Sequence, residues 1–131
     1  MKSYLLDTSF ISAFCNKDDT NYEKAQEISK GIKDGYFIIP SVVVAELSSF
    51  YKNLKLRDLT VKTSLDIASE IASLASENIL IYVSFVQEFL NNLKAVDSII
   101  LFLSIENDAK LLTFDKKLEK EFAEISKRVS E

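Results

Sequence analysis

Lys2-Ser3-Tyr4-Leu5-Leu6-Asp7 passes directly from a short apolar run into an acid, and Lys110-Leu111-Leu112-Thr113-Phe114-Asp115, near the other end, does the same. Each run is the length of a strand and too short for a helix, so Lys2–Leu6 is read as the first strand and Lys110–Phe114 as the fourth. Between them, Tyr36-Phe37-Ile38-Ile39 follows the turn signal Asp34-Gly35 and reads as the second strand; Ile79–Val83 reads as the third. Helices fill the intervals. Asp18 and Asp19 offer N-caps for one running to about Lys33. Pro40 supplies the first position of another, which passes through Glu46 to about Asn53. Val61, Leu65, Ala68, Ala72 and Ala75 repeat at helical spacing across Thr60–Ser76. Ser84 is expected to cap a helix reaching Leu93, Asp97 one reaching Asp108, and Asp115 the last. Strands separated by helices require parallel pairing and right-handed crossovers. The expected class is α/β, a three-layer α/β/α sandwich around a central parallel sheet.

With 131 residues, no linker and no low-complexity tract, the chain reads as a single domain, 1–131. Its longest mostly apolar stretch, Ser98–Ile105, falls far short of the roughly 20 residues of a membrane span. Only two leucines precede Asp7, so no signal-peptide core exists, and the expected location is cytoplasmic, with no membrane partner. Histidine is absent, which excludes Ser-His-Asp and Cys-His catalysis, imidazole zinc sites and histidine general bases. Two glycines, Gly31 and Gly35, cannot build a glycine-rich phosphate loop. The lone Cys15 excludes an internal disulfide and reads as a small buried hydrophobe. A net charge of -4 argues against a generic basic nucleic-acid binder but leaves room for a nuclease whose cations are bound metals.

Chemistry is thereby thrown onto carboxylates. Ligands of open α/β sheets bind beyond the carboxyl ends of the strands, where Asp7 and Asp115 both fall. Asp97 starts the helix that leads into the fourth strand, and Glu46 lies on the helix leaving the second. On that helix Glu46 shares a face with Val42, Val43, Ser49 and Phe50, where an uncompensated carboxylate is costly. Four converging acids repel one another, and a hard divalent cation is the natural remedy: oxygen-only ligands suit Mg²⁺ or Mn²⁺ rather than zinc. One or two such ions, about 3.5–4 Å apart when paired, support phosphodiester hydrolysis.

The same residues carry a family resemblance. Leu5-Leu6-Asp7-Thr8-Ser9 resembles the opening motif of PIN-domain nucleases; Val43-Val44-Ala45-Glu46-Leu47, Ala95-Val96-Asp97-Ser98-Ile99-Ile100 and Leu111-Leu112-Thr113-Phe114-Asp115 resemble their later acidic motifs, in order, from Leu5 to about Leu118. The likeness is greatest to the compact VapC-type toxins of prokaryotic type II toxin–antitoxin pairs. It implies a Mg²⁺- or Mn²⁺-dependent endoribonuclease, with RNA as substrate, a cognate antitoxin protein as partner, frequent homodimers, a parallel sheet of order 3-2-1-4-5, and Asp7, Glu46, Asp97 and Asp115 as catalytic metal ligands. Two departures stand out. Lys116–Glu131 reads as helix where the family usually adds a last strand. Lys94 and Ser98 occupy the likeliest places for a second acid in the third motif.

Each acid also has a plain reading: helix capping for Asp7, Asp97 and Asp115, a buried ion pair for Glu46. Thr8, Ser9 and Thr113 are candidates for a metal-bound water or a substrate phosphate, against capping or strand filling; Lys116 is a candidate phosphate contact. Lys52, Lys55, Arg57 and Lys62, opposed locally by Asp58, could hold an RNA backbone or simply be a solvated hairpin. Tyr51 and the phenylalanines read as core. The rival to a nuclease is a non-catalytic PIN-like module that binds RNA or protein. A phosphoacceptor domain is disfavoured because Ser9 stands where its second aspartate belongs.

Overall fold

The computed structural model describes residues 1–50, 52–89 and 93–130. Strands and helices follow in the order β1 (Lys2–Leu6), α1 (Thr8–Cys15), α2 (Tyr22–Gly31), β2 (Gly35–Pro40), α3 (Ser41–Phe50), α4 (Leu54–Ile67), β3 (Glu70–Ala72), a 3-10 turn (Ser76–Asn78), α5 (Ile79–Phe89), α6 (Ala95–Glu106), β4 (Lys110–Leu112) and α7 (Lys116–Ser130). The four strands form one parallel sheet of order β3-β2-β1-β4, flanked by helices as an α/β/α sandwich.

Register explains the core. Leu5 pairs with Ile38 on one side and Leu111 on the other, so these three share one face of the sheet. Tyr4 pairs with Phe37 and Leu6 with Leu112, and these line the opposite face; the Tyr4 and Phe37 rings stack at 5.8 Å. Leu5, Leu6, Ile38 and Ile39 are all buried. A central strand apolar on both faces is what a parallel sheet covered by helices on both sides demands. Val43 and Leu47 of α3, Ile100 and Leu101 of α6, and Leu118 and Ile125 of α7 complete the same core.

The expected order of strands holds, but the third strand lies elsewhere. Ile79–Val83 is the first part of α5, and β3 is Glu70–Ala72, inside the stretch expected to be helical as far as Ser76. Helix α4 begins earlier than its apolar spacing suggested because Asn53 caps it, its Oδ1 accepting the Leu56 amide at 3.2 Å. It ends at Ile67, after which Ser69 crosses to β2: its amide donates to the Phe37 carbonyl at 2.7 Å, and its hydroxyl accepts the Phe37 amide at 3.0 Å. A strand of three residues leaves no period to read. The run Ile79–Val83 misleads for a different reason, since a short apolar run fits a helix as well as a strand. Here Leu80 is 80 % and Ile81 59 % exposed, whereas a strand inside a covered sheet would bury them.

Smaller corrections follow the same logic. Pro40 closes β2, opposite Ala72, rather than opening a helix. Ser84 lies within α5, its hydroxyl bonded to the Leu80 carbonyl at 3.0 Å. Asp97 sits in the first turn of α6, whose N-cap is Lys94. Among the described residues no strand follows α7, in line with the helical reading of the C-terminal segment. The expectations for Tyr51 and for the Phe50 side chain fall outside the described residues. Among the described residues no helix is long and apolar enough to cross a membrane.

Candidate functional site

Because β1 and β4 are parallel neighbours in register Leu6 to Leu112, the residues that follow them emerge together at one edge. The Asp7 amide continues the pairing, donating to the Leu112 carbonyl at 3.0 Å. Asp7 is only 6 % exposed, and a buried carboxylate must find donors. It finds hydroxyls: Thr113 donates to Oδ2 at 2.7 Å and Ser9 donates to the same oxygen at 2.8 Å. Both hydroxyls are anchored in turn. Ser9 Oγ accepts the Phe114 amide at 2.9 Å, and Thr113 Oγ1 accepts the Asp115 amide at 3.0 Å. Asp7 occupies the N-cap position of α1, yet its side chain makes no capping bond; its Oδ2 accepts the Ser9 and Thr113 hydroxyls instead. The hydroxyls expected to meet a phosphate or a metal-bound water already have protein partners.

Asp115 is held by the helix it precedes. Its Oδ1 accepts the Lys117 amide at 3.0 Å and the Leu118 amide at 3.1 Å, so capping describes part of what this residue does. Its carboxylate is otherwise at the surface, beside exposed Lys116. Glu46, half-buried on α3, accepts the Thr8 hydroxyl at 2.7 Å through Oε1; a hydroxyl from the β1–α1 junction meets it where an ion pair was the alternative.

Asp97 on α6 connects all four. Burial pushes its carboxyl above the ordinary aspartate value, and the charges of Asp7, Asp115 and Glu46, in that order, push it further, while Lys94 pulls the other way. Three acids from three other elements thus act on it at once. Among the described residues no hydrogen bond reaches its carboxylate. The sequence-derived acids are therefore brought to one edge of the sheet, next to an open cleft of about 600 Å³ lined by Val42, Ala45, Glu46, Ser49 and Val96.

The donor set suits a hard divalent cation. It is oxygen only, and the like charges that add to the effect of burial on Asp97 are ones such a cation would offset. Among the described residues, however, no three acids stand ready-made as a metal cage. The basic group on α4 is less promising. Arg57 pairs with Asp58 at 3.0 Å, and Asp58 and Asp66 line the same surface as Lys62. Cys15 is half-buried, and burial raises its thiol above the ordinary value while bonds with Thr63 and Thr60 act against the rise.

The PIN domain family matches residues 4–124, which takes in every one of these acids. The chain belongs to the PIN domain family. Its fold is also that of VapC20 from Mycobacterium tuberculosis, a toxin that cleaves the sarcin-ricin loop, with a TM-score of 0.72 at 14% identity over 89% of this chain and 93% of that one. The VapBC2 structure from Rickettsia felis, bound to a DNA fragment from its promoter, gives 0.67 at 22% identity over 90% and 92%. No curated protein gives a significant match. This PIN domain retains the 3-2-1-4 sheet and runs its last described helix through Ser130.

Proposed function

We propose that residues 1–131 act as one PIN-like nuclease domain, a Mg²⁺- or Mn²⁺-dependent endoribonuclease that is the toxin of a type II toxin–antitoxin pair. Its catalytic metal ligands are Asp7, Glu46, Asp97 and Asp115, holding one or two ions. The observation that carries this reading is the Asp97 carboxyl, raised first by burial and then by the charges of Asp7, Asp115 and Glu46, which all act on it at once. An edge that gathers so much negative charge, without histidine or a cysteine cage, has little use except to hold cations near a phosphate. When bound, the cation neutralises charge on the scissile phosphate and lowers the pKa of water.

The chain's own residues supply position. Ser9 and Thr113 fix Oδ2 of Asp7, and Thr8 fixes Oε1 of Glu46, so two of the four acids are oriented before any ligand arrives. The α7 amides fix Oδ1 of Asp115. Lys116, exposed next to Asp115, contacts the phosphate backbone. The VapC fold and the complex formed by one of its neighbours support an antitoxin as partner; a homodimer acting in the cytoplasm completes the proposal.

The test is cleavage of structured RNA with Mn²⁺, with Mg²⁺ and with chelator, for the natural chain and Asp7→Asn. Metal-dependent cleavage lost in the variant supports the nuclease. Equal, metal-independent cleavage by both proteins rejects it. The lack of a ready-made metal cage among the described residues favours a second reading, a non-catalytic RNA- or protein-binding module, and that reading gains if RNA binds without being cut under any metal condition.

A further inference from the structure

Strand β4 ends the sheet on one side, since the order is β3-β2-β1-β4. In a parallel ladder, alternate residues turn their backbone N–H and C=O to opposite sides. The Leu112 carbonyl accepts the Asp7 amide at the end of β1, so Lys110 and Leu112 face β1 and Leu111 turns both of its backbone groups away from it. Among the described residues no hydrogen bond reaches those two groups. The edge is nonetheless sunk into the molecule. Leu111, Leu112 and Thr113 are each 7 % exposed, and residues 110–113 line a slot of about 430 Å³. The crossovers from β1 to β2 and from β3 to β4 run in opposite directions across the sheet. Right-handed connections therefore put α1 and α2 on one face and α6, with α7 packed against it, on the other. Phe10 and Ile28 reach the slot from the first layer, and Glu119, Phe122 and Ala123 from the second. The slot lies where a further strand would lie.

We propose that an extended peptide segment of a partner protein occupies this slot and joins the sheet beside β4. The backbone specifies the occupant. An N–H and a C=O of one residue, both turned out from a strand edge, are met together by extended main chain. A strand covered by helices on both faces is apolar at successive positions, and Phe10 and Ile28 on one side with Phe122 and Ala123 on the other call for such a run. Charge marks its ends. Exposed Lys110 stands where β4 begins, and exposed Glu119, whose amide donates to the Asp115 carbonyl at 2.9 Å, stands beyond the other end. The segment therefore carries an acid toward Lys110 and a base toward Glu119. A second folded copy cannot offer its own β4, because that edge is sunk between the same two helix layers. The proposal does not rest on the nuclease reading.

Short random peptides displayed on phage are selected against the natural chain. The enriched peptides, made in soluble form, are added to the isotope-labelled chain and amide hydrogen exchange is followed by NMR. Enrichment of apolar runs flanked by unlike charges is expected, with saturable slowing of exchange at Leu111 and none at Lys110 and Leu112, whose amides β1 already holds. Leu111→Pro removes the outward amide without touching the β1 ladder and is expected to abolish binding. Ala123→Trp, which fills the slot from α7, is expected to do the same should the proline variant fail to fold. No enrichment, equal binding to natural and altered chains, or bound peptides that leave Leu111 exchange unchanged overturn the proposal. A Leu111 amide protected in the chain alone assigns the slot to a segment of this chain, and protection that grows with protein concentration assigns it to a second copy; either overturns the partner.

Discussion

On the strand side of the acid edge, Asp7 and Asp115 follow β1 and β4, and among the described residues six donors fix one oxygen of each or the hydroxyls that hold it. On the helix side, among the described residues, Glu46 rests on one hydroxyl and Asp97 has charge for company rather than donors. The difference teaches where order comes from in such a fold. Parallel strands locked in register deliver their following residues to fixed points, and local hydroxyls and amides are close at hand. Helices crossing the same edge deliver a carboxylate with no such neighbourhood. The strand side is thus the more firmly preorganised; on the helix side Glu46 has a single hydroxyl to hold it and Asp97 is held least.

The contrast can be broken most easily at Asp7. Asp7→Asn is expected to lower Mn²⁺-dependent cleavage by about a hundredfold or more, beyond what loss of a supporting residue costs. The same change should let the Asp97 carboxyl fall toward its ordinary value, read by NMR titration; an unmoved Asp97 would mean that the two acids do not face each other. Next in size, Thr113→Val removes a donor from a buried carboxylate and should cost about 10–100-fold in metal affinity or rate with the fold intact by circular dichroism. Thr8→Val, acting on the half-buried Glu46, should cost less. Equal losses from the two valine variants would erase the distinction between the sides.

Proton linkage sharpens the comparison on the helix side. A raised carboxyl means that the folded state binds the Asp97 proton more tightly than the unfolded chain, so this group's contribution to stability is present at low pH. It is lost as pH rises from the ordinary aspartate value through the raised one. Without metal, Asp97→Asn should flatten the dependence of melting temperature on pH across that window. Cation binding requires the deprotonated form, so Mn²⁺ affinity should weaken as pH falls into the same window, measured by calorimetry. The smallest effect is expected for Lys116→Ala: KM for RNA up by about two- to threefold, kcat unchanged, and the salt dependence of binding shallower by about one phosphate contact.

The acids were legible because each sits in a short apolar context that repeats four times in order; strand ends, unlike strand interiors, announce themselves by an abrupt change from leucine to aspartate. What each acid bonds to was not legible. Asp7 looked like a cap for α1 and is instead the acceptor of two hydroxyls, one of them from Thr113 at the far end of the chain. Asp97 looked like a cap and lies within the first turn of its helix. The middle of the chain misled most, because β3 is shorter than any period and the first turns of α5 leave Ile79, Leu80, Ile81 and Val83 exposed while Phe85 turns into the core.

Composition and pattern settled the absence of histidine chemistry and the alternation of strand and helix, and singled out the acids proposed as ligands, since these rest on residue types and on neighbours within a few positions. Which face each side chain joins, which hydroxyl meets which carboxylate, and how strongly Asp97 is driven upward were decided only when register brought β1 beside β4 and α3 and α6 to their common edge. Those contacts join residues as far apart as Asp7 and Thr113, and nothing local in the chain encodes a distance across space.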